Sequence, residues 1–126
     1  KSRTIPSKRE RTKISKKDYS KMLEEFGEHC NICGAYPIEA HHIVFRSKYG
    51  SGNWRNLVPL CNKHHQLVHK DRVLADYFRK QREERFGTHF WKDKYALFKE
   101  GLIPNTTNEA FEKFMEGEEA NARGIR

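Results

Sequence analysis

The chain has 126 residues, of which 36% are hydrophobic and 33% are charged, and its formal net charge is +8. This length predicts one domain with one modest core, and the lack of any apolar run near roughly 18 residues argues against a membrane protein. An odd number of cysteines, three, argues against a disulfide framework. We therefore expect a reducing, cytoplasmic compartment in which the thiols bind metal.

The positive charge is concentrated at the start of the chain. Residues 1–17 carry eight Lys or Arg and one Glu, which gives +7, whereas 18–107 sum to +3 and 108–126 to −2. Such a block predicts a disordered basic tail. The tail either contacts nucleic acid by releasing counterions or only keeps the protein in solution, and the sequence leaves both alternatives open.

The remaining elements predict a small α+β domain. Helical spacing of apolar residues follows Asp18, a predicted N-cap, and Gly27 would end that helix. A tight knuckle, a strand, a Gly- and Asn-rich loop and a second short strand then follow. In order, these four elements cover residues 30–37, 38–44, 45–56 and 57–60. Further helices are predicted over 62–71, 72–87, 88–101 and 108–117.

The later helices are rich in aromatic residues, which we assign to the core. They are Tyr77, Phe78, Phe86, Phe90, Trp91, Tyr95 and Phe98. These patterns divide the chain into a tail over 1–17, a domain over 18–103 whose centre is 30–70, and a C-terminal helical segment over 104–126.

The cysteines predict a structural zinc site. Cys30 and Cys33 form a C-x2-C knuckle, which is a common half of a tetrahedral site. Cys61 and His64 have the same spacing and supply the second half. The alternative, in which the two knuckle cysteines are buried thiols, leaves the matching second pair unexplained.

Five of the seven histidines lie in residues 40–69, and they include two adjacent pairs. On a helix, His65 and His69 share one face, while His64 is rotated by about 100° from His65 and can face the zinc instead. On a strand, His41 and His42 point to opposite sides, unless a bend brings both to one cleft. We therefore expect the two histidines of each adjacent pair to have different roles, although they lie side by side.

Residues 30–69 resemble the HNH endonuclease family, whose core is a ββα-metal fold. The resemblance rests on the C-x2-C knuckle, "AHHI", the basic Gly-rich loop, "NLVPLC" and "HHQLVH". The family's catalytic His, Asn and His correspond to His42, Asn56 and His65. His41 stands where the family often has a metal-binding Asp, and His64 replaces the fourth cysteine of its zinc knuckle. The pattern also resembles that of small phage-encoded members, some of which act with the terminase in genome packaging.

The resemblance implies a mechanism of DNA hydrolysis. A catalytic divalent cation, which could be Mn2+, Mg2+, Co2+, Ni2+ or Zn2+, would be held by His41, His65 and His69. His42 would accept the proton of the attacking water, and Asn56 would orient the loop or His42 rather than bind metal.

Each basic residue of the loop is either a candidate for a phosphate contact or a solvated surface charge. These residues are Arg46, Lys48 and Arg55. The expected function is a DNA endonuclease that nicks with low sequence specificity. The alternative is a zinc-stabilised DNA-binding or packaging adaptor that has lost catalysis.

Overall fold

The computed structural model describes residues 5–124 and has an α+β fold. Its elements are α1 (Lys8–Arg11), α2 (Lys16–Phe26), β1 (Glu39–His42), β2 (Leu57–Leu60), α3 (Asn62–Val68), α4 (Arg72–Phe86), α5 (Lys94–Lys99) and α6 (Asn108–Ala122), with 3-10 turns over Arg46–Lys48 and Trp54–Asn56. Within residues 5–124, none of the helices combines the length and the apolar character that crossing a bilayer requires.

The two strands form an antiparallel hairpin whose register runs from Glu39↔Leu60 to His42↔Leu57. Every residue of β2 is buried, whereas β1 has one buried residue, His41. Helix α3 begins directly after β2, with Cys61 at its N-cap, and packs against both strands. This strand-strand-helix order brings α3 beside His41.

Asn56 ties down the long loop between the strands. Its side chain is fully buried, and its Oδ1 accepts a hydrogen bond from the Val44 amide at 2.8 Å. Its Nδ2 donates to the carbonyls of Ser51 (2.9 Å) and Val44 (3.2 Å). The side chain is thus fully engaged with backbone. Of its two expected roles, the one that the structure supports is orientation of the loop.

The main core lies between the hairpin, α2 and α4. Its largest fully buried side chains include Met22, Leu57 and Phe86. Helix α6 packs along α4, and a second cluster of Leu97, Phe111 and Met115 joins α5 to α6. Burial of each such side chain stabilises the fold by about 1.5–3 kcal/mol.

Three predictions of local structure are wrong. Helix α2 is capped by Ser15, whose side chain accepts a hydrogen bond from the Asp18 amide, so Asp18 lies inside the helix. The Asp18 carboxylate accepts a hydrogen bond from the Trp54 amide. The helix predicted over 88–101 is reduced to α5, since Asp93 caps a new helix there. Tyr77 and Phe98, which were expected in the core, are about half exposed (57% and 45%), whereas Phe78, Phe86 and Phe90 are buried as predicted.

The predicted disordered tail is also wrong for residues 7–17. Ser7 forms a capping box with Glu10 and starts α1, and Thr12 is buried. The guanidinium of Arg11 forms a bidentate ion pair with the Asp93 carboxylate, at 2.7 and 2.9 Å. The high charge of this segment therefore serves in part to fasten it to the domain. Residues 1–4 of the predicted tail lie outside the described residues.

Candidate metal centres

The four residues predicted to bind structural zinc come together. The Nδ1 atom of His64 lies 3.3 Å from the Cys61 sulfur and 3.7 Å from the Cys30 sulfur, and the sulfurs of Cys33 and Cys61 are 3.8 Å apart. Tetrahedral zinc with ordinary bond lengths requires about 3.5 Å between sulfur and nitrogen and about 3.8 Å between sulfurs. The Cys3His group therefore could hold a metal ion such as zinc.

The knuckle itself favours a thiolate. Gly34 adopts a left-handed conformation (φ 79°), and its amide donates to the Cys30 carbonyl at 2.8 Å, which closes the turn. Burial alone would raise the pKa of Cys30, but hydrogen bonds from backbone amides, including those of Cys61, Cys33 and Ile32, lower it to about 6. Since metals bind the thiolate, this environment suits a ligand.

A second group of possible ligands consists of His41, His65 and His69, whose nitrogen ligand atoms lie within 4.8 Å of one another. His41 comes from β1, His65 from the second turn of α3, and His69 from the C-cap of the same helix. The ring centroids are 5.1–5.3 Å apart. The hairpin and α3 thus bring together the three predicted ligands of the catalytic ion.

The hydrogen bonds of these rings fit metal binding. Nδ1 of His65 donates to the Glu39 carboxylate at 2.6 Å, which leaves Nε2 as the free lone pair. Such a carboxylate commonly fixes the tautomer of a metal-binding histidine. Nδ1 of His41 is buried without a hydrogen-bond partner among the described residues. The ring of His41 therefore has binding capacity that the protein does not use.

The surroundings of His41 and His69 favour their neutral forms. Burial, together with the neighbouring His65 and His69, lowers the pKa of His41 to about 3. Burial and His65 also lower the pKa of His69. The hydrogen bond from His65, with a second from Asn62, lowers the pKa of Glu39, so this carboxylate stays ionised. Neutral imidazoles are the form that binds metal.

His42 lines the same pocket as the three possible ligand histidines, a space of about 440 Å³. Its Nε2 lies 2.8 Å from the carbonyl oxygen of Thr12. A carbonyl only accepts hydrogen bonds, so the neutral ring carries its proton on Nε2 and its free lone pair on Nδ1. Burial lowers the pKa of His42, although the Thr12 carbonyl acts in the opposite direction. His42 thus has the form of a proton acceptor.

The three predicted phosphate contacts have different surroundings. Arg46 is exposed and lines the histidine pocket. Lys48 is also exposed, and it lines a neighbouring groove that shares His69 with that pocket. Arg55 is only 3% exposed and forms an ion pair with Glu112 at 3.1 Å. The prediction that Arg55 contacts phosphate is therefore wrong, because its guanidinium is buried and already paired.

Two residues of the site were missed at the sequence level. Glu39 lies two positions before His41, so the alternation of a strand could have placed it on the same side. Thr12 acts through its backbone carbonyl, which every residue possesses, so no sequence signal identifies it.

Comparisons with protein-family models, curated proteins and solved structures found no match to this chain. The arguments for function therefore come from the chain itself. They are the two groups of possible metal ligands, the pocket that His42 shares with one of them, and the HNH-like sequence pattern over residues 30–69.

Proposed function

We propose that this protein is a metal-dependent DNA endonuclease of the HNH type. The observation that carries the proposal is the convergence of three possible metal ligands and a tautomerically fixed His42 on one pocket. The strand-strand-helix order and the loop held by Asn56 agree with the HNH-like sequence pattern. The separate Cys3His group has the composition of a structural zinc site.

Each residue of the pocket has a separate role in the hydrolysis. A divalent cation held by His41, His65 and His69 would supply charge stabilisation at the scissile phosphate and at the departing 3′ oxygen. Nδ1 of His42 takes one proton from a water molecule, whose oxygen forms a bond to phosphorus as the bond to the 3′ oxygen breaks. Glu39 keeps the His65 ring oriented during this step. Residues 5–124 form one such pocket, which suits nicking of one strand at a time.

The ligand set predicts which ions support cleavage. Three imidazoles without a directly binding carboxylate suit later transition metals, whereas Mg2+ prefers oxygen ligands. We expect Mn2+, Co2+ or Ni2+ to support nicking of supercoiled plasmid at least as well as Mg2+. The measurement uses protein that keeps its structural zinc but has lost the catalytic ion. Its nicking rate is recorded after each of these ions is added. Strong activity with Mg2+ alone would show that the three histidines are not the ligands.

The same ion series distinguishes the nuclease from the alternative function, an adaptor without catalysis. A zinc-stabilised adaptor, for instance one that works with phage terminase during packaging, would bind DNA and leave the plasmid supercoiled with every ion. That outcome would contradict the nuclease proposal and favour the adaptor, because no hydrolysis would then need His42 as a base.

We expect exposed basic side chains beside the pocket to contact the phosphates of DNA. The neighbouring groove, about 500 Å³ in volume, is lined by the exposed cations Lys48, Lys70 and Arg72. Arg79 and Asp76 also line it, but they form an ion pair with each other at 2.7 Å. Each phosphate contact that is lost should reduce the salt dependence of DNA affinity by about 0.9 in the logarithmic slope. We expect the double substitution Lys48→Gln/Lys70→Gln to weaken binding and to flatten the slope by about 2.

The matched control for this double variant is Lys99→Gln. Lys99 is also exposed but lies on α5, outside both the pocket and the groove. Its slope, measured by fluorescence anisotropy, should equal that of the unmodified protein. Equal slopes for all three proteins would exclude the groove as a path for DNA.

A further inference from the structure

The N-terminal strap, which we define as residues 7–13, lies against the histidine pocket. Thr12 is its innermost residue, with 1% of its surface exposed. The Thr12 hydroxyl donates to the Lys8 carbonyl at 2.9 Å and accepts from Arg46 at 3.3 Å. The carbonyl of Thr12 accepts the hydrogen bond from Nε2 of His42. A segment outside the HNH-like sequence thus contributes a polar atom to the candidate site.

The strap is fastened at three points. Arg11 pairs with both oxygens of Asp93. The ammonium group of Lys8 donates to the Ser47 carbonyl at 2.7 Å. At the far end, the Lys13 carbonyl packs so tightly on Gly52 that a Cβ there would lie 2.0 Å from the oxygen. These contacts determine where the Thr12 carbonyl lies.

The strap has little stability of its own. Helix α1 has four residues and none of them is buried, and so short a helix is unstable by itself in water. Its placement depends on the ion pair, the hydrogen bonds and the close contact with Gly52. A change at those points should therefore move the strap while the main core, which lies between the hairpin, α2 and α4, stays folded.

We infer that the strap is part of the catalytic apparatus, and that the carbonyl of Thr12 positions His42. The inference rests on the proposed function. Without the carbonyl, the neutral imidazole can place its proton on either nitrogen and can rotate about its side-chain bonds. With it, the lone pair of Nδ1 is the one that remains to take a proton from water. Thr12 is thus a positioning residue, since its carbonyl contacts His42 and no reacting atom is assigned to it.

The test is Gly52→Ala, whose Cβ would push the Lys13 carbonyl and the strap away. Imidazole 15N chemical shifts of the zinc-loaded protein report the tautomer of His42. We expect a mixture of tautomers in place of the Nε2-protonated form. Because a misplacement of about 1 Å can cost about 10²-fold in rate, we expect the nicking rate at saturating metal to fall by about that factor. Metal affinity should stay unchanged.

The matched control is Gly117→Ala, since Gly117 lies in α6 with open space around its position. Arg11→Gln removes the ion pair to Asp93 on the other side of Thr12 and should shift the tautomer in the same direction. If Gly52→Ala does not fold, Arg11→Gln alone decides. An unchanged tautomer in the folded strap variants would overturn the inference.

The two proposals can fail separately. If the unmodified protein cleaves DNA with none of the ions, the proposed function fails, while the 15N shifts still decide whether the strap fixes His42. If the protein cleaves DNA and the folded strap variants cleave it equally fast, the function stands and the inference about the strap is wrong.

Discussion

His42→Ala is expected to slow DNA nicking by about 10²–10⁴-fold at saturating metal, which is the usual contribution of a positioned general base. The substitution removes the free Nδ1 lone pair of a residue that lines the pocket, and it leaves the three candidate ligand histidines in place. DNA affinity, zinc content and affinity for the catalytic ion should therefore be retained. Single-turnover nicking rates and metal titrations measure these quantities.

His41→Ala is the matched control for this prediction. It removes the neighbouring imidazole of the same strand, which belongs to the group of possible metal ligands. Its activity should fall because metal affinity falls, and added metal should restore part of it. If added metal rescues His42→Ala and leaves His41→Ala inactive, the roles that we assign within this pair are reversed.

Cys30→Ser is expected to lose the structural zinc and to unfold the domain. Structural zinc contributes about 10–16 kcal/mol in zinc-finger peptides at neutral pH, whereas a whole small domain is stable by about 5–15 kcal/mol. Cys30 is the buried member of the Cys3His group. Loss of the zinc would therefore leave a void there, and the serine would place a polar hydroxyl beside the hairpin. Elemental analysis and thermal denaturation followed by circular dichroism are the measurements.

His65→Ala is the control for the zinc prediction, because His65 neighbours His64 yet belongs to the other group. This variant should keep one zinc per chain and a cooperative melting transition near that of the unmodified protein. Loss of zinc together with a collapsed transition in His65→Ala would mean that His64 and His65 have exchanged roles.

Local spacing made the ligand groups predictable. Cys30 and Cys33, like Cys61 and His64, are close in sequence, so a turn or one helical turn brings each pair together whatever the rest of the fold does. The face shared by His65 and His69 follows from helix geometry in the same way. The structure confirms that the Cys3His residues and the three histidines each form a compact group.

Long-range contacts defeated prediction elsewhere. The sequence suggests a surface cation at Arg55, but this residue is buried and pairs with Glu112, 57 residues away. Asp93 pairs with Arg11 across 82 residues and caps α5, which both fixes the N-terminal strap and shortens a helix expected to start earlier. Neither partner can be inferred from the sequence around it, because charge composition alone does not say which residues meet.

Nicking of supercoiled plasmid by His65→Ala, compared with the unmodified protein in Mn2+, tests the central claim most directly. Both proteins should carry structural zinc, so the difference between them isolates the histidine cluster. We expect the unmodified protein to nick the plasmid, EDTA to stop the reaction and added Mn2+ to restart it, while His65→Ala stays inactive at the same Mn2+ concentration. Equal nicking by the two proteins, or no nicking by either, would contradict a catalytic centre built on His41, His65 and His69.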